Sequence, residues 1–167
     1  IDANAKERLE AHIERMGQQD KVKLLAKAAL PDALEGYYVA PHAFEIPNIS
    51  VLYQENFGPI LHVIRFKAAK LDQVIDDIDS TGYGLTFGVQ SRIERTVDYV
   101  TSRVHVGNAY VNRSMTGATV GVQPFGGEGL SGTGPKAGGP NYLTRFITER
   151  TLTINTAAIG GNLELLA

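Results

Sequence analysis

Apolar residues recur with a helical period from the start of the chain. Leu9, Ile13 and Met16 fall at i, i+4 and i+7 within residues 2–16, the spacing of one helix face. Asp2 is placed to cap this helix, and Gly17 to stop it. A shorter element is expected over residues 21–30, before Pro31. Glu35-Gly36 then turns the chain into residues 37–40, a short β-prone run closed by Pro41. Pro41, Pro47 and Pro59 mark an irregular connection with short strands. Over residues 60–66, Ile60, Leu61, Val63, Ile64 and Phe66 show little alternation, as in a strand covered on both faces. Leu71, Val74, Ile75 and Ile78 make one helix stripe, with Gly82 as its stop. Residues 85–89 read as the next strand. Ser91 and Glu94 form a capping-box signature, and the helix it opens carries Ile93, Val97, Val100 and Val104 on one face. Residues 106–112 read as a third strand.

Strand, helix, strand, helix, strand over residues 60–112 is two βαβ units, with connections long enough for crossovers. The predicted fold class is therefore α/β: an open, twisted, mostly parallel sheet with flanking helices. After Asn112 the character changes. Ten of the eighteen glycines lie between Gly107 and Gly139, a long loop whose backbone is available to a ligand. Tyr142 to Phe146 suits a short helix. Residues 149–155 alternate, with Leu152 and Ile154 on one face, as a half-exposed strand open to pairing with another subunit.

Composition narrows the function classes. The 167 residues are 43% hydrophobic and 20% charged, with a net charge of -2 from 16 basic and 18 acidic side chains. Neither nucleic acid nor an anionic membrane is expected as a partner. The chain contains no cysteine, which excludes a disulfide, a thiolate nucleophile and a Cys-ligated metal within it. His12, His42, His62 and His105 are scattered without metal-ligand spacing, so no metal site is expected. No apolar run reaches the roughly 18 residues of a membrane span, and no signal peptide opens the chain. The sequons at Asn48 and Asn112 are read as chance. The first residue is Ile1 rather than Met, so the chain is expected to be a piece of something longer.

Three motifs could carry chemistry. Gly127, Gly129 and Gly132 spell GxGxxG, but the dinucleotide fingerprint needs a strand before it and a helix after it. Pro124-Phe125 precedes it and Gly134-Pro135 follows, so no Rossmann fingerprint is expected. Glu55-Asn56-Phe57-Gly58-Pro59 reads either as a turn or as the mouth of a nucleoside site. A carboxylate can accept from both ribose hydroxyls, and an aromatic face can pack on a flat heterocycle. The loop from Thr116 to Gly127 reads either as a flexible connection or as a ligand site. Val120, Val122 and Phe125 are unlike a solvated linker. Small residues such as Gly117 and Ala118 leave backbone N–H groups open to an anion.

At these motifs the chain resembles the aldehyde dehydrogenase superfamily. Glu55-x-Phe57-Gly58-Pro59 is similar to a motif of that family, and Pro124-Phe125-Gly126-Gly127 followed by Ser131-Gly132 to its substrate-side loop. Tyr83-Gly84-Leu85-Thr86-Phe87-Gly88 and Gly107-Asn108-x-Tyr110-Val111-Asn112-Arg113 agree with it. The longer run from Val120 to Pro140 resembles the bacterial proline utilization A family of multifunctional enzymes. The resemblance spans essentially the whole chain. It implies a cytoplasmic, NAD-dependent oxidation of L-glutamate γ-semialdehyde (1-pyrroline-5-carboxylate) to glutamate through a cysteine thioester. By residue match, Glu55 would bind the nicotinamide ribose and Phe57 would lie by the nicotinamide. Gly117 and Ala118 would offer N–H groups to the substrate's α-carboxylate, and Phe125 would flank its aliphatic chain. Residues 1–147 would be the C-terminal half of the catalytic domain, and residues 148–167 an oligomerisation flap and tail, making a homo-oligomer.

One departure is large. The family's cysteine nucleophile, glutamate base and Rossmann domain all precede the point at which Ile1 stands, so no catalytic residue is expected in this chain. FAD would belong only to the family's proline dehydrogenase domain, which is also absent from it. The expected partners are a small aldehyde and the remainder of the same enzyme. Two other readings stay open: a non-catalytic assembly or binding module that reuses the fold, and a dehydrogenase for a different aldehyde.

Overall fold

The computed structural model describes residues 2–31, 33–119 and 121–155. Helix α1 (Ala3–Gln18) is capped as expected: the Asp2 carboxylate accepts from the Ala5 N–H at 2.7 Å. Leu9, His12 and Met16 are its buried residues. Gly17 does not end the helix. It lies inside the last turn with open space around it. An exposed glycine costs a helix only about 1 kcal/mol, and the reversal is made instead by Lys21, whose φ is +67°.

Strands β1 (Lys23–Lys27), β2 (His42–Glu45) and β3 (Ile60–Val63) form one sheet in that order, β1–β2 antiparallel and β2–β3 parallel. The expected run at residues 37–40 is not a strand. Pairing begins only beyond Pro41, which lacks an N–H to give to a ladder but accepts from Ala28 at 2.9 Å. Met16, Phe44 and Ile46 form the core between α1 and this sheet, joined by Ile13, Val22, Leu52, Ile60 and Ile64. The other face stays open: Leu61 and Phe66 are 61% and 51% exposed, against the expectation of a strand covered on both sides.

Helix α2 (Leu71–Asp79), strands β4 (Tyr83–Gly84) and β5 (Thr86–Val89), helix α3 (Glu94–Thr101) and strand β6 (Asn108–Val111) follow. Ile75, Val89 and Val100 make a second core with Leu71, Phe87 and Val97. Arg103 ties α2 to the end of α3, reaching Asp72 at 2.8 Å and Asp76 at 2.9 Å. The expected capping box does not form. The α3 N-cap is Ile93, with no side-chain cap bond, because Asn112 takes both backbone groups of Ser91, each at 2.9 Å. Ile93 is 65% exposed rather than on the apolar face.

Strands β5 and β6 are parallel, in register Thr86↔Asn108 to Val89↔Val111, so the second βαβ unit is as predicted. The first is not closed: among the described residues no ladder joins β3 to β5. Each parallel pair stands alone because β3 pairs backwards with β2 and β5 pairs forwards with β6. The glycine-rich region is less loop-like than expected. Strand β7 (Glu128–Gly129) pairs with β4, and Phe125 bridges Ala137. A 3₁₀ turn covers Leu143–Phe146. Residues 147–155 form no strand among the described residues; a strand needs a neighbouring strand to take its backbone hydrogen bonds. Residues 156–167, the rest of the expected flap, lie outside the described residues.

Two of the scattered histidines meet. His12 Nε2 and His62 Nε2 lie 2.9 Å apart, and Arg15 donates to His12 Nδ1 at 2.9 Å. Arginine has no acceptor, so Nδ1 accepts, and His12 must carry its proton on Nε2 and donate it to His62. The ring pair therefore locks α1 to β3 only when neutral. Burial, then the neighbouring His62 and Arg15 charges, lower the His12 pKa from 6.5 to about 4. Burial, then Arg15, lower that of His62. Unfolded, both rings take up protons near 6.5. The stabilisation is thus present above that pH and is lost as pH falls towards the folded values.

In the intact protein, thermal unfolding midpoints should fall between about pH 7 and about pH 5, and fall less steeply in His12→Gln. A profile of equal slope in both would contradict the neutral pair. Gly107, just before β6, has no room for a side chain: a Cβ would run into the carbonyl oxygen of Gly126. Gly107→Ala should cost about 1–3 kcal/mol in urea unfolding, because backbone and not a flexible side chain must move.

Candidate functional site

The Glu55-to-Pro59 motif is held in place from below. A Cβ on Gly58 would meet Leu9 Cδ1 at 2.5 Å, so any larger residue there would have to displace the Leu9 side chain on which the segment lies. Pro59 O accepts from the His42 N–H at 3.0 Å, continuing into β2. Upstream, Arg15 donates to Val51 O at 3.3 Å and its guanidinium lies 4.5 Å from the Tyr53 ring centre. Between these anchors, Glu55 and Phe57 project outward. Phe57 is 89% exposed. An aromatic ring left in water forgoes about 1.5–3 kcal/mol of burial, which a bound flat partner would recover.

Both residues line a cleft of about 1210 Å³. Its other walls are Asp77 and Ile78 at the end of α2, Tyr83 on β4, and Leu130 and Ser131 just after β7. The volume is on the large side for a small-ligand site, typically about 300–1,000 Å³. The GxGxxG segment takes part as a wall and not as a nucleotide fingerprint. Gly127 and Gly132 lie so close that a Cβ on Gly132 would meet Gly127 O at 2.6 Å, and Ser131 Oγ accepts from the Gly84 N–H at 3.0 Å. No helix follows it directly; a bridge and turns do.

Gly117, Ala118 and Phe125 do not line that cleft. They are half-buried and gather instead against β6. Gly117 has φ +73°, and its carbonyl accepts from the buried Tyr110 hydroxyl at 2.7 Å. Phe125 exchanges both backbone hydrogen bonds with Ala137, at 3.0 and 2.9 Å. Glu55 and Phe57 thus share one cleft, and the second group, Gly117, Ala118 and Phe125, lies outside it, with Gly117 tied to Tyr110 of β6 and Phe125 to Ala137. A second, smaller cavity of about 460 Å³ beside α1 contains none of them. Among the described residues no three His, Asp or Glu side chains are grouped to hold a metal, and no helix is long and apolar enough to cross a membrane.

Motif reading did not anticipate Tyr83, Leu130 and Ser131 as cleft walls, nor Asn108, Tyr110 and Lys136 as supports of the second group. Tyr83 and Leu130 sit on opposite sides of a two-residue ladder too short to show any alternation. Asn108 and Tyr110 did carry a signal, as polar and aromatic residues two apart on a strand.

The aldehyde dehydrogenase family model matches residues 1–152. The bifunctional protein PutA of Rhizobium meliloti is 52% identical over 149 residues, 89% of this chain and 12% of that protein. A crystal structure of a mutant of Bradyrhizobium japonicum proline utilization A superposes with a TM-score of 0.85 at 56% identity, covering 95% of this chain and 16% of that one. The 1-pyrroline-5-carboxylate dehydrogenase from Thermus with bound NAD matches with a TM-score of 0.76 at 38% identity, over 87% of this chain and 28% of that one. The chain thus spans well under a third of each of these relatives, and its motifs, its α/β architecture and its sequence agree: it belongs to the aldehyde dehydrogenase family.

Proposed function

We propose that this chain is the C-terminal part of an NAD-dependent L-glutamate γ-semialdehyde dehydrogenase of proline catabolism. The observation that carries the reading is the pair Glu55 and Phe57, both exposed at the rim of one large cleft. A carboxylate and an uncovered ring two residues apart suit a ribose and the flat base beside it. The relatives support the substrate class: one is a 1-pyrroline-5-carboxylate dehydrogenase with bound NAD, and others are proline utilization proteins.

In this reading Glu55 holds the nicotinamide ribose and Phe57 lies by the nicotinamide. NAD supplies hydride acceptance when bound. Gly117 and Ala118 turn backbone N–H groups to the α-carboxylate, and Phe125 flanks the aliphatic chain. The thiol that attacks the aldehyde has to come from outside, since the chain contains no cysteine. The two parallel strand pairs belong to one larger parallel sheet completed by the remainder of the enzyme. Residues 148–167 would make the flap: Leu152 and Ile154 are exposed, and pairing with a second subunit would cover them.

In the intact enzyme, Glu55→Ala should raise the apparent KM for NAD by about tenfold or more, since hydrogen bonds to a charged group contribute roughly 1.5–3 kcal/mol. Its thermal midpoint should stay within about 2 °C, because an exposed side chain adds little to stability. Unchanged NAD kinetics would sink the ribose role. Phe125→Ala should raise KM for the semialdehyde; a drop in melting temperature with normal kinetics would make Phe125 a packing residue only.

A further inference from the structure

A loop rich in glycine has few side chains with which to hold itself, so its shape depends on where its backbone hydrogen bonds go. Around Phe125 five of them are taken, from Pro124 O to Gly126 O. Asn108 Nδ2 donates to Pro124 O at 3.0 Å, and Asn108 Oδ1 accepts from the Gly126 N–H at 3.2 Å. Phe125 N and O pair with Ala137. Lys136 Nζ donates to Gly126 O at 2.9 Å and also to Gly107 O. The Asn108 amide brackets Phe125 in one orientation, donor to the carbonyl and acceptor to the amide. Aspartate has no donor for the first bond, and leucine can make neither. Lys136 bridges the strand entrance and the loop with a single ammonium.

Asn108 and Tyr110 are two apart on β6, so they share one face of the strand. Asn108 holds the Phe125 end of the loop. Tyr110 holds the Gly117 end through its hydroxyl, at 2.7 Å. One rigid strand face therefore sets the separation between Gly117–Ala118 and Phe125.

We propose that Asn108, Tyr110 and Lys136 are positioning residues that act as a ruler for aldehyde length. They hold the carboxylate-binding N–H groups and the Phe125 ring at a fixed spacing, and that spacing selects the length of the aldehyde. The proposal rests on the reading above, in which Gly117, Ala118 and Phe125 touch the substrate. It deepens that reading by naming what selects the chain length.

The test uses the intact enzyme carrying Tyr110→Phe, Lys136→Met or Lys136→Arg. Two things are measured. One is backbone hydrogen exchange in the peptides containing Phe125 and Ala137, and in the peptide containing Gly117 and Ala118. The other is kcat/KM for L-glutamate γ-semialdehyde against its homologue one methylene longer, with the KM for NAD alongside. In Lys136→Met exchange should quicken around Phe125, and in Tyr110→Phe around Gly117. In both, the preference for the shorter aldehyde should fall by about tenfold, the worth of one lost hydrogen bond, with the KM for NAD unchanged. Lys136→Arg keeps a cationic donor and should retain most of the preference. Should Lys136→Met not fold, Asn108→Ser removes the bracket by an independent route.

Unchanged exchange in the variants overturns the proposal whatever the kinetics. A parallel loss of semialdehyde and NAD kinetics also overturns it, as the mark of general destabilisation. Faster exchange with intact length preference overturns it as well, and Phe125→Ala then separates two cases. If Phe125→Ala still impairs semialdehyde use, only the ruler has failed; if it is silent, the substrate reading beneath it has fallen.

Discussion

The second group of site residues depends on the satisfaction of backbone polar groups in a glycine-rich segment. Ten of the residues between Gly107 and Gly139 are glycines, which have no side chain to bury. Its conformation is held by its own Asn108, Tyr110 and Lys136, whose side chains take up carbonyls and an N–H group at defined points. Each net hydrogen bond contributes only about 0.5–1.5 kcal/mol, but leaving one of these groups buried and unpaired would cost more. That asymmetry gives the loop a single arrangement without a core of its own.

The other group of site residues is held by the opposite means. Glu55 and Phe57 are exposed. What is fixed is the backbone beneath them, through Gly58 on Leu9, Pro59 on His42 and Arg15 on Val51 and Tyr53. Helix α1 is thus the platform for the cleft rim. Its own seat on the sheet depends on Met16 in the core and on the neutral His12–His62 contact.

Exposed apolar surface runs through the structure in a pattern and not at random. Leu61 and Phe66 lie on the uncovered side of the first sheet, Phe57 at the cleft rim, and Leu152 and Ile154 in the C-terminal stretch. In the proposed enzyme these are the faces against which the cofactor domain, the nicotinamide and a second subunit would pack. The two short parallel ladders, β2–β3 and β5–β6, each lack the neighbours that a doubly wound sheet would provide.

Local pattern by itself determined the helices α1, α2 and α3, the strands β3, β5 and β6 to within a few residues, the parallel pairing of β5 with β6, and the Asp2 cap. These follow from side-chain periodicity and from hydrogen bonds a few residues apart, which one stretch of chain contains in full. The Glu55 and Phe125 motifs were visible too, because glycine, proline and aromatic residues at fixed offsets are rare in plain loops. Tertiary structure decided what short-range spacing cannot encode. It chose Asn112 over Glu94 at the start of α3, brought His12 to His62 across fifty positions of sequence, and folded the GxGxxG segment into a wall beside β4. It also decided that residues 149–155 form no strand among the described residues. In each case the deciding partner lies far along the chain, or outside it, and the free energy of a long-range contact leaves no period in the sequence to read.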